Sequence, residues 1–61
     1  MYSATQLIQN GFTHVATFGR KEMAEARAEF HRKQGQIARV VVEKAAFGFE
    51  VFSVYIKIEE A

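Results

Sequence analysis

The chain has no cysteine and no proline, and only four glycines in 61 residues. Without cysteine it can form neither a disulfide nor a thiolate metal site. Its two histidines, His14 and His31, cannot close a zinc site by themselves. The absence of proline suits compact, regular elements. No charge sign dominates either: the formal net charge is +1. A dedicated nucleic-acid binder of this size is more often clearly basic. No run approaches the ~20 apolar residues of a membrane span. The start, Met1-Tyr2-Ser3-Ala4-Thr5-Gln6, lacks the basic region and apolar stretch of a signal peptide. These absences lead us to expect a cytoplasmic protein of the host cell with no membrane partner.

What is present argues for a folded globule. Apolar residues make up 49% of the chain and aromatic ones 13%, which excludes a disordered composition. Residues 1–61 form one domain. A chain this short buries only about 60% of its unfolded surface, so its stability is marginal. With no disulfide or metal, it needs an efficient core or a partner.

Periodicity and turn residues predict the elements. Ser3-Ala4-Thr5-Gln6 reads as a capping box, with a short helix over about residues 4–10 ending at Asn10-Gly11. Phe12 to Phe18 alternates as a strand. Phe12, His14, Ala16 and Phe18 share one face of it, and Thr13, Val15 and Thr17 the other. A long helix runs from about Arg20 to Gln34 and ends at Gly35, with Met23, Ala26 and Phe30 as its apolar face. Ile37 to Lys44 is β-branched; Ala45-Ala46-Phe47-Gly48 is the turn; Phe49 to Ile58 returns as the antiparallel arm of a hairpin. The fold class is α+β: one major helix on a three-stranded sheet, in the order short α-β-α-β-β. The last strand is the longest and most apolar, which places it in the centre.

That last strand is apolar on both faces. Phe52, Val54, Ile56 and Ile58 point one way; Phe49, Val51 and Tyr55 point the other. One helix covers one face of a sheet. The second face is then covered by a partner, or by the N-terminal segment through Tyr2, Leu7 and Ile8.

Chemical motifs are sparse. His14 sits in a strand without a nucleophile elbow or an adjacent acid in sequence. Glu22, Glu25 and Glu29 interleave with cations, as on a solvated helix face. Phe18-Gly19-Arg20-Lys21 places two cations at a helix start, but one glycine is not a phosphate loop. We expect no catalytic residue, cofactor, metal or small-molecule substrate. Thr17-Phe18-Gly19, an alanine-rich helix and Gly35-Gln36-Ile37-Ala38-Arg39-Val40-Val41 together resemble half of a SPOR peptidoglycan-binding domain. That domain needs a second αβ unit, so no function is carried over from it.

The reading favoured is a non-enzymatic protein-binding module, regulatory or inhibitory, that binds another protein or itself as a homodimer. From its small size, and with no cysteine or catalytic motif, we expect a phage or mobile-element type of accessory protein. Candidate contact residues are Phe49, Val51 and Tyr55 on the sheet, with Arg20, Arg27 and His31 on the helix. The alternative is nucleic-acid binding. There Lys21, Arg32, Lys33 and Arg39 would meet phosphates, and Phe49 and Tyr55 would stack on bases.

Overall fold

A computed structural model of the chain describes residues 4–58. The Ser3 cap, the covering role of Tyr2 and the tail at 59–61 lie outside those residues. The described elements are α1 (Ala4–Gln9), β1 (Thr13–Phe18), α2 (Lys21–Lys33), β2 (Gln36–Lys44) and β3 (Glu50–Ile58), with a 3-10 turn at Ala46–Gly48. The three strands form one sheet in the order β1-β3-β2, and both pairings are antiparallel. The α+β class, the C-terminal hairpin and the central place of β3 are as expected.

α1 ends as its sequence dictates. Gly11 takes φ +88°, which a residue with a side chain rarely adopts. The Gly11 N–H donates to the Ile8 carbonyl (3.1 Å) and the Phe12 N–H to the Leu7 carbonyl (2.9 Å). These two bonds make a Schellman motif. Its usual apolar contact is present too, because Phe12 packs into the cluster that holds Leu7.

α2 lies on one sheet face, but not on the side that periodicity predicts. The expected face was Met23, Ala26 and Phe30. The buried residues are Ala24, Ala28 and His31, whereas Met23 and Phe30 are more than half exposed. The buried face is displaced by one to two residues around the helix, on the order of 130°. The reason is steric: Ala24, Ala28, Ala38 and Val54 are all fully buried against one another. Small side chains let the helix approach the sheet closely, where Met or Phe would hold it away. Val15, Phe18, Val40, Phe52 and Ile56 surround that contact.

β1 carries a second correction. The register of β1 on β3 shifts between His14 and Ala16. This bulge gives the strand one extra residue and reverses its alternation. Val15 and Phe18 therefore pack on the α2 side, and His14 and Thr17 share the opposite face. Ile58, expected in the core, is 69% exposed at the end of β3, opposite Gln36.

The second face of the sheet is closed from within. Leu7 is 1% exposed and packs with Val41 and Tyr55, and Ala4 and Phe12 flank them. Ile8, also expected to help cover this face, points to solvent.

Candidate protein-docking surface

The hairpin outreaches the rest of the sheet. β1 ends where Phe18 pairs with Phe52, at the level of Val42. Beyond that level β2 and β3 continue alone through Glu43↔Val51 and Lys44↔Glu50. The turn then follows, closed by Ala45 N–H donating to the Phe49 carbonyl (2.7 Å). This end is apolar and exposed. Phe47 is 97% exposed and Phe49 70%, with Val42 also open.

Phe47 is unusual in its backbone as well. It adopts φ 64°, ψ 18°, and Gly48 follows at φ 78°. For a bulky side chain the left-handed region costs ~1–2 kcal/mol. Glycine relieves this at the second position but not at the first. The two left-handed residues close the hairpin turn, but a turn of this kind usually places asparagine, aspartate or glycine first, and here it holds an aromatic ring in solvent.

The candidate contact residues separate into three environments. Phe49 is exposed at the hairpin end, and Val51 beside it is half-buried. Tyr55 is core: it lies under Leu7 and its hydroxyl donates to Glu43 Oε1 at 3.2 Å. A partner cannot reach its ring while α1 is in place. On the helix, His31 is likewise buried. Arg27 Nε–H donates to His31 Nε2 at 3.0 Å, which leaves the ring proton on Nδ1 to donate to Gln36 Oε1 at 2.7 Å. Both ring nitrogens are satisfied, so this imidazole is a structural tie between α2 and the start of β2. Arg20 is exposed and precedes α2 without a side-chain cap bond.

Burial of Tyr55 has an electrostatic consequence. Desolvation raises the phenol above the ordinary tyrosine value of 10.0; the charge of Glu43 and the hydrogen bond to it act in the same direction. The neutral form is thus favoured in the fold. Its contribution is complete below pH 10 and is lost as pH climbs through the raised value.

Sequence alone did not point to the polar chain on the same face. His14 Nε2 and Thr17 Oγ1 are 2.7 Å apart, and Thr17 Oγ1 lies 3.2 Å from Ser53 Oγ. The His14 ring meets Tyr55 edge-on at 5.2 Å. Ser53 is buried, and the bond to Thr17 satisfies its hydroxyl. Only the β1 bulge brings these groups together. The chain could pass a proton between hydroxyls, but Ser53, its inner hydroxyl, is closed to solvent.

The cations of the nucleic-acid reading do not converge. Lys21 and Lys33 stand at opposite ends of α2, ~18 Å apart at 1.5 Å per residue. Arg32 is engaged with Glu29 (3.5 Å) and with the Ala38 carbonyl (3.0 Å). Arg39 lies opposite Tyr55, on the sheet face away from α2. With Tyr55 buried, the stacking pair is also lost. Among the described residues there is no group of three potential metal ligands. No helix among them is long and apolar enough to cross a membrane. The chain matches no protein-family model, no curated protein and no solved structure.

Proposed function

We propose that the chain is a small protein-binding module, regulatory or inhibitory, that docks on another protein through the end of its β2-β3 hairpin. One observation carries this reading: Phe47 stands in solvent on a left-handed backbone beside the exposed Phe49. The turn needs a left-handed residue at this position, and asparagine or glycine would meet that need at less strain and without an exposed ring; strained residues of this kind cluster at functional sites. Aromatic residues, phenylalanine included, are also enriched in the cores of protein interfaces relative to the rest of a protein surface. The unused sheet surface supports the same choice, because Leu7 already covers the face around Tyr55.

The test separates stability from binding. Phe47→Gly removes the strain and the anchor together, so urea denaturation should show a gain of about 1 kcal/mol. The same variant, immobilised beside the parent protein, should lose the partner that the parent retains from the native host. A variant that is less stable than the parent, or that retains the same partner equally, would overturn the reading.

A further inference from the structure

The free edge of β2 carries its own instructions for a partner. The register of β2 on β3 and the bond from Ala45 N–H to the Phe49 carbonyl fix the phase of the ladder. Odd-numbered residues of β2 turn their N–H and C=O toward β3, and even-numbered ones turn them outward. The Arg32 guanidinium confirms this at one end, since it meets the outward carbonyl of Ala38 (3.0 Å). Val40 and Val42 therefore present open backbone groups along this edge. Charged or proline residues usually blunt such an edge. Here its middle is Val40-Val41-Val42, and Val42 is 53% exposed. The other edge, β1, is shorter and is broken by its bulge.

We infer that the β2 edge pairs antiparallel with the same edge of a second copy, centred on Val41. The outward phase permits only registers that pair even residues with even ones. Of these, the one centred on Val41 places Val40 opposite the partner copy's Val42 and Arg39 opposite its Glu43. Two-fold symmetry repeats both contacts. Arg39 and Glu43 lie on the same sheet face, two positions either side of Val41, so each strand is charge-complementary to itself when reversed. Registers centred on Arg39 or Glu43 place like charges opposite one another, which is unfavourable. Those centred on Val40 or Val42 place neither charge opposite one of the other sign across the seam. Tyr55 holds Glu43 Oε1 and steadies the carboxylate for this role. The result is a six-stranded sheet, β1-β3-β2-β2-β3-β1, with both α2 helices on one face. The two hairpin ends point in opposite directions, which makes the assembly bivalent. Whether the pair forms does not depend on what the hairpin ends bind.

A contact of this extent belongs to the small, weak class of interfaces. Sedimentation equilibrium from micromolar to millimolar protein is the fitting measurement. The parent chain should reversibly dimerise. Val42→Pro removes an outward N–H that β3 does not use, and it should abolish the dimer while circular dichroism shows the monomer fold intact. Arg39→Glu should weaken the dimer roughly tenfold by setting carboxylates opposite each other. The exchange R39E/E43R restores the opposite pairing and should recover the constant to within about threefold. Phe47→Gly should leave it unchanged, so failure of this inference and failure of the hairpin-end reading are distinguishable. A chain monomeric at millimolar concentration overturns the inference. So does a dimer indifferent to both Val42→Pro and Arg39→Glu.

Discussion

Leu7→Ala is expected to destabilise the protein by about 3 kcal/mol, the typical cost of truncating a fully buried leucine. Leu7 is 1% exposed and is the residue of α1 that reaches both Val41 and Tyr55. Its loss removes apolar contact from both and opens the second face of the sheet. α1 has only six residues, too few to hold a helix in water without such an anchor. The whole segment should therefore detach, and loss of Phe12 packing should follow. Ile8→Ala is the matched control. Ile8 adjoins Leu7 in sequence but is 59% exposed, so its truncation should stay within about 0.5 kcal/mol. Urea denaturation of the two variants checks the pair. Equal effects would mean that α1 does not dock through Leu7.

A comparable loss is expected on the other face. Ala28→Phe should cost about 3 kcal/mol, at the upper end of overpacking effects. For a domain of this length, total stability is on the order of 3–9 kcal/mol, so the variant should be partly unfolded at room temperature. Ala28 has no exposed surface and meets Ala24, Ala38 and Val54, all equally buried. A phenyl ring there must lift α2 off the sheet. Ala26→Phe, on the exposed side of the same helix, should remain within about 0.5 kcal/mol of the parent. The comparison discriminates sharply, because periodicity alone assigns Ala26 to the core and leaves Ala28 out of it.

That misassignment shows where sequence reasoning stops. The strands and the hairpin were legible because alternation, β-branching and the Ala45–Gly48 turn all point the same way. The central place of β3 was legible from its length and its two apolar faces. The helix face was not. Met23 and Phe30 dominate any hydrophobic pattern, yet the close approach of α2 to Ala38 and Val54 selects small residues instead. The β1 bulge has no glycine or proline to mark it, so the pairing of Thr17 with Ser53 was invisible. His31 read as a surface residue because its second partner, Gln36, comes back under the helix only through the turn at Gly35.

The candidate surface was half legible. Phe49 stood out as an apolar residue with no partner on the helix side, and it is exposed. In the sequence Phe47 is one residue of a turn, because no sequence signal announces a left-handed phenylalanine. Alternation alone puts Tyr55 on the face that α2 leaves open, where it is a contact candidate; the fold buries it. The covering segment was one of two alternatives, and packing of Leu7 selects it. The strand with two apolar faces is thus satisfied near Tyr55 and left open only toward the hairpin end.

The second face of the sheet is closed by the chain itself, which leaves the hairpin end as the proposed docking surface. Spectrophotometric titration of Tyr55 in a Tyr2→Phe background tests this closure most directly, with circular dichroism followed in parallel. Tyr55 should stay protonated as pH passes the ordinary 10.0, because burial and Glu43 both favour the neutral phenol. Ionisation should come only at higher pH, with loss of stability as the charge is forced into the core. A Tyr55 that titrates at the ordinary value while the fold is retained would mean that the ring lies open to solvent and that the second face is not closed from within.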